Sequence, residues 1–185
     1  AGVAPNVITY NAAIQACAAL GKLSAAEQLF GELECNGTLH SDYVTFNAML
    51  DVVGTLDPAR ARSLYLKAIE RGLYPNAYGL HVSECYQIDL HEHSEGAAET
   101  AVRWWLEEVV SVKLKTLKGS PPKRLTIITG WGKSRKQNQR GDVRGRVKSV
   151  LHGMDVPQIV SKNAGRLTVD VEAWQLKCCY TLGGI

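Results

Sequence analysis

The stretch Pro5-Asn6-Val7-Ile8-Thr9-Tyr10-Asn11-Ala12 returns 36 residues later as Ser41-Asp42-Tyr43-Val44-Thr45-Phe46-Asn47-Ala48, and this recurrence decides how the front of the chain folds. Ala26, Leu29 and Phe30 return as Ala61, Leu64 and Tyr65 at an offset of 35, as Gly37 does in Gly72. Pro75-Asn76 reopens the pattern 34 residues after Ser41-Asp42. Self-similarity at a period of this length marks a repeat architecture. One-residue deletions in the turns of the second copy account for the drift, so the helices keep register.

Each unit reads as a helical hairpin. In the first, Tyr10, Ile14, Cys17 and Ala18 share one face at helical spacing, and Cys17 reads as a small buried side chain. Gly21 then breaks the chain, and Ser24 is the expected N-cap of a second helix carrying Ala26, Leu29, Phe30 and Leu33. In the second unit Asp57-Pro58 supplies an N-cap and a first-turn proline. One hairpin cannot bury its apolar face alone, so it stacks on neighbours as a solenoid. Two units fall short of the roughly three usually needed, which implies further repeats upstream in a longer parent. The opening at Ala1, without an initiator Met, agrees with a fragment.

The chain has 185 residues, 45% of them hydrophobic, which excludes wholesale disorder. No apolar run approaches the ~18–20 residues of a membrane span. The net charge of +3 conceals a split. Residues 1–84 carry five basic side chains against eight acidic ones, a net −3, and residues 85–185 carry 16 against 10, a net +6. Between Val112 and Lys148 twelve basic side chains face one acid, Asp142. Such asymmetry fits two modules with a polyanion near the second, and also fits a solvated lysine-rich loop. The five cysteines (Cys17, Cys35, Cys85, Cys178 and Cys179) form no C-x-x-C pair, which suits a reducing compartment and supplies no zinc framework.

From Cys85 the pattern changes. Tyr86 to Leu90 alternates like a short strand and ends in His91-Glu92-His93-Ser94. Ser94 is the expected N-cap of a helix with Ala98, Ala101, Val102, Trp105 and Val109 on one face. Leu125–Ile128 reads as a buried strand, and Val143, Val147, Val150, Leu151 and Met154 mark a second helix. Strands around Gln158–Ser161 and Leu167–Val171 follow. The order strand–helix–strand–helix–strand–strand predicts a small α/β sandwich with a four-stranded mixed sheet and two main helices.

Two loops carry the candidate chemistry. Asp89 and His91 close the first strand, two residues apart and on the same side. A carboxylate and an imidazole so spaced can position a proton-transferring group, can share a divalent ion, or can be a capping Asp beside an exposed His. The second loop is Thr129-Gly130-Trp131-Gly132-Lys133. Its glycines admit close backbone approach to a phosphate, Lys133 adds charge, and Trp131 offers a stacking face. Arg135 and Lys136 extend the basic surface. The spacing is not that of a Walker loop.

The V-x-T-[YF]-N openings, the alanine pair before L-[FY] and the 34–36-residue period resemble the pentatricopeptide repeat family, from Pro5 to about Asn76. The resemblance implies one RNA base per repeat, with Asn11 and Asp42 as one reading pair, for uracil, and Asn47 and Asn76 as the next, for a pyrimidine. An amide or carboxylate can read the Watson–Crick edge of a splayed base. The alternative for Asn11 and Asn47 is helix capping.

"IDLHEHSEGAAETAVRWWL", "TIITGWGK", "VKSVL" and "NAGRLTV" resemble the Smr domain, the small MutS-related module, over roughly Gln87 to Trp174. That resemblance implies endonucleolytic cleavage at Asp89 and His91 and nucleic-acid binding at Thr129 to Gly132. The chain departs from the family pattern at Glu92, where Gly is common after the motif His, and at Ser134-Arg135, where a His is often found.

The expected organisation is therefore a helical solenoid over 1–84, with repeats at about 7–42 and 43–76, and an Smr domain over 85–185. The expected function is reading and cleaving single-stranded RNA in a chloroplast or mitochondrion. The alternatives are an RNA clamp without cleavage and a DNA-directed nickase. Attack by the ribose 2′-OH needs no metal, whereas attack by a metal-bound water calls for Mg²⁺, with Asp89 and Glu92 as ligands. No organic cofactor and no membrane partner are expected, and oligomeric state is undetermined.

Overall fold

The structure, a computed structural model, describes residues 4–77, 86–116, 118, 120–130, 142–159 and 163–175. It divides into two compact units, one of residues 1–75 and 92–101 and the other of residues 76–91 and 102–185. Residues 92–101, which sequence patterning places with the second module, cluster with the repeats.

The first unit opens with α1 (Val7–Ala19) and α2 (Leu23–Glu34), followed by α3 (Tyr43–Leu56) and α4 (Pro58–Glu70). The recurring octapeptide works as a helix start. Asn6 and Asp42 cap α1 and α3, each accepting from the backbone N–H of the threonine three residues on, and that threonine's hydroxyl bonds back to the cap's N–H. Such reciprocal capping satisfies two of the donors that a helix start leaves unpaired. Asn11 and Asn47 lie past the first turn and do not cap. Asp57 caps α4 with Pro58 in the first turn, as expected.

Ser24 does not cap α2. The helix begins at Leu23 behind Lys22, which makes no side-chain capping bond. Gly21, at φ +63°, turns the chain sharply enough that Ala26 N–H already bonds to Lys22 O. The core of this unit holds Ile14, Ala26, Leu33, Phe46, Leu50, Val53, Ala61, Tyr65 and Ala68. Phe30 meets Phe46 edge-on at 5.4 Å between ring centres. Cys17, expected inside, is only half-buried.

In the second unit β1 (Gln87–Asp89) pairs parallel with β2 (Arg124–Ile128), and β2 pairs antiparallel with β4 (Arg166–Asp170), which pairs antiparallel with β3 (Gln158–Ile159). The order β1-β2-β4-β3 is the expected four-stranded mixed sheet. Period-2 alternation buries Ile88, Leu125, Ile127, Leu167 and Val169. The helix α7 (Val143–Gly153) buries Val143, Val147, Val150 and Leu151, capped by Asp142, while Met154 stays half-buried beyond its end.

The helix α5 (Glu95–Trp104) continues through a π-helical segment, Trp105–Val110, into α6 (Ser111–Thr116). The wider π turn carries the buried face from Trp105 and Leu106 to Val110, and so displaces Val109, which 3.6-residue spacing had placed inside. Among the described residues no helix is long and apolar enough to cross a membrane.

Candidate nucleic-acid interface

On the first repeat, the Asn11 side chain is buried and reaches the cap of the following repeat. Its Nδ2 donates to Asp42 Oδ1 at 3.1 Å, and its Oδ1 accepts from the Thr45 hydroxyl at 2.6 Å. Asp42 Oδ1 also takes the Thr45 backbone N–H at 2.9 Å. The two residues expected to form the first reading pair therefore touch, joined through Thr45. Sequence reasoning counted Thr45 as part of the repeat signature and missed this bridging role, although its place three residues after a capping Asp is the signal.

The second repeat departs from the first. Asn47 Nδ2 donates to the Glu92 carbonyl at 2.6 Å, and its Oδ1 accepts from Tyr74 O–H at 2.9 Å and from Ser94 N–H at 3.1 Å. Burial pushes the Tyr74 phenol far above its ordinary range, so it remains a donor. Asn76, the expected partner of Asn47, is an exposed turn residue of the second unit. Nothing in the sequence pattern signals the roles of Glu92, Ser94 and Tyr74.

An ionic cluster ties the two repeats. Arg71 grips Glu34 with both terminal nitrogens, at 2.8 and 2.7 Å, while Lys67 donates at 2.7 Å and the Ser41 hydroxyl at 2.5 Å. The Arg71 guanidinium holds the Glu34 carboxyl down to about 2, and burial opposes that effect.

In the second unit, the end of β1 brings Asp89 and His91 together. Asp89 Oδ1 accepts from His91 N–H at 2.9 Å and lies 2.5 Å from His91 Nδ1. The carboxylate so fixes the ring that Nε2 faces the loop after β2: a Cβ built on Gly130 would stand 3.3 Å from it. Gly130 sits at φ +75°, where a side chain is strained in any case. Thr129, just before it, is buried and anchored by its N–H to Gly165 O at 2.9 Å. Arg144 holds the same turn through bonds to Ala164 O and Arg166 O at 2.7 and 2.9 Å. The His91 side chain is 54% exposed, so the pair opens to solvent.

Trp131, Gly132, Lys133, Arg135 and Lys136 lie outside the described residues. Among the described residues no three His, Cys, Asp or Glu side chains gather as a metal site. Asp89 Oδ1 is already committed to two His91 nitrogens.

Two comparisons bear on the repeats. Residues 5–55 match the PPR repeat family. The chain is also similar to a pentatricopeptide repeat-containing protein of Arabidopsis thaliana, at 28% identity over 96 residues, half of this chain. The aligned part spans about a tenth of that relative's length. In capped helical hairpins, in period and in both comparisons, the front of this chain is similar to pentatricopeptide repeats.

Proposed function

We propose that the chain binds single-stranded RNA through its repeats and cuts it at an Smr-type endoribonuclease centre built on Asp89 and His91. The observation that carries the cleavage reading is the Asp89–His91 contact at 2.5 Å, with the ring turned on Gly130 at the carboxyl ends of two parallel strands. A carboxylate that orients an imidazole on its Nδ1 side prepares Nε2 for proton transfer. In the mechanism, Nε2 takes the proton of a ribose 2′-OH as that oxygen attacks the adjacent phosphorus; the P–O5′ bond breaks, the 5′-oxygen leaves as a hydroxyl with a proton from water, and the upstream strand keeps a 2′,3′-cyclic phosphate. Asp89 holds the ring and stabilises the imidazolium that forms. No step is routed through a metal.

The repeats support RNA as substrate because amides on a solenoid meet unpaired bases, which duplex DNA does not present. The basic run from Val112 to Lys148 suits contacts to the adjacent phosphates. A chloroplast or mitochondrial location follows from the family resemblance and belongs to the same proposal.

The test is single-turnover cleavage of end-labelled, pyrimidine-containing single-stranded RNA by the chain and by Asp89→Ala and His91→Ala, with Mg²⁺ or with EDTA. The expected result is discrete products that survive EDTA and fall by about 100-fold or more in both variants. Binding without cleavage in all three proteins leaves an RNA clamp. Loss of cleavage in EDTA overturns the metal-free mechanism.

A further inference from the structure

Equivalent asparagines of the two repeats meet different neighbours. Asn11 faces the cap of α3, where Asp42 makes the contact through its side chain. Asn47 faces the start of α5, where Ser94 stands in the capping place: Ala97 N–H bonds to Ser94 Oγ at 3.3 Å, and Ala98 N–H bonds to Ser94 O at 2.9 Å. The first turn of α5 thus takes, on the second repeat, the position that α3 takes on the first.

We infer that Glu92–Gly96 is a built-in end cap of the repeat array, anchored by Asn47, so that base recognition in these repeats is confined to Asn11 and Asp42. The inference rests on the RNA-reading proposal for its second half only. An amide oxygen has two acceptor sites, and those of Asn47 are filled by Tyr74 O–H and Ser94 N–H. Its nitrogen gives one of its two N–H groups to Glu92 O at 2.6 Å. Ser94 Oγ adds a bond to Asn47 O at 3.3 Å. By contrast Asp42 keeps its Oδ2 without an intramolecular hydrogen bond among the described residues, an acceptor that can still meet a base.

Two further contacts seat the cap. Gly96 N–H bonds to Asp51 Oδ1 at 2.7 Å, and a Cβ on Gly96 would fall 2.5 Å from Leu50 O and 2.7 Å from Asp51 Cα. Only glycine allows that approach of α5 to α3. His93, 4% exposed, stacks on Tyr74 with ring centres 4.3 Å apart, and its Nε2 lies 3.0 Å from the Tyr65 hydroxyl. Withdrawing Asn47 to meet a base would leave the buried Tyr74 hydroxyl and two backbone groups unpaired.

The test pairs amide hydrogen exchange with selection of bound sequences from a randomised single-stranded RNA pool, for the intact chain, Asn47→Ala, Asn47→Asp and Asn11→Ala. Asn47→Ala is expected to lower the protection of the Ser94 and Gly96 amides at least about tenfold and to leave base preference unchanged. Asn47→Asp keeps an acceptor for Tyr74 and Ser94 but loses the donor to Glu92 O, so it folds where Ala fails and shows a smaller loss. Asn11→Ala is expected to erase preference at one RNA position while Ser94 and Gly96 stay protected. Retained protection in both Asn47 variants overturns the cap. A shift of preference at a second RNA position in either Asn47 variant overturns the confinement of reading to Asn11 and Asp42. Absence of any base preference in the intact chain sinks RNA reading, while the exchange data still decide the cap.

Discussion

Asn11 and Asn47 occupy the same place in two copies of one octapeptide, yet Asn11 binds two side chains whereas Asn47 binds two main-chain groups and the Tyr74 hydroxyl. Asn11 meets Asp42 and Thr45, residues of the repeat that follows it. Asn47 meets Glu92 and Ser94, from a segment 45 or more residues away that belongs to no repeat. The helix that carries each asparagine is capped alike, by Asn6 and by Asp42, so the local structure is the same. What differs is the element stacked on top. A repeat residue therefore takes its role from its neighbour along the solenoid, as nearest-neighbour stabilisation in such arrays implies.

The contrast can be broken most forcefully at Gly96. Gly96→Val is expected to cost about 3 kcal/mol, because its branched side chain meets the α3 backbone, and urea denaturation of the chain measures it. The same substitution at Gly31, whose Cβ would meet nothing within 4 Å, is expected to be neutral or stabilising by a few tenths of a kcal/mol, since only helix propensity is at stake and Val ranks above Gly.

Next in size is Asn47→Ala, at about 2 kcal/mol, since it strands the Tyr74 hydroxyl and two backbone groups. Asn11→Ala is expected to cost about 1 kcal/mol, because Asp42 and Thr45 still satisfy one another. Equal losses in the two variants would remove the distinction drawn between the repeats.

The smallest effect sharpens the comparison by acting on both repeats together. Glu34→Gln loosens the link to Arg71, Lys67 and Ser41 by about 1 kcal/mol near neutral pH. The Glu34 carboxyl is held at about 2 against an ordinary 4.5. A depressed carboxyl contributes stability that is complete above the ordinary value and is lost as pH falls through the folded one. The gap between the intact chain and Glu34→Gln is therefore expected to persist at pH 6, to narrow below pH 4.5 and to close near pH 2. Denaturation midpoints at those three pH values check it.

Much of the fold was legible because it is periodic. The octapeptide, Gly21 and Asp57-Pro58 place four helices, and alternation at Ile88, Leu125, Ile127, Leu167 and Val169 places three of the four strands. The failures have local causes. Ser24 looked like a cap because it precedes an apolar run, but the positive φ of Gly21 starts the helix two residues earlier, at Leu23. Val109 looked buried because a 3.6-residue period was assumed through a segment that winds as a π turn.

The candidate site divides the same way. Asp89 and His91 are two residues apart, so chain geometry alone puts them on one side of a strand end, whereas their bond was one of three arrangements that the spacing allowed. The approach of His91 to Gly130 needed β1 and β2 to pair in parallel at the observed register, which no spacing records.

The sequence by itself determined the two helical repeats, the Asp57-Pro58 start of α4 and the mixed-sheet character of the second unit, because hydrogen bonds three or four residues apart and side-chain periods of 3.6 and 2 are local properties. Only the tertiary structure decided that residues 92–101 join the repeats and that Asn47 is spent on them. Those choices depend on contacts across 45 residues or more, where buried polar groups find partners by packing. A glycine at position 96 permits the approach, and nothing in the periodicity around it foretells what it approaches.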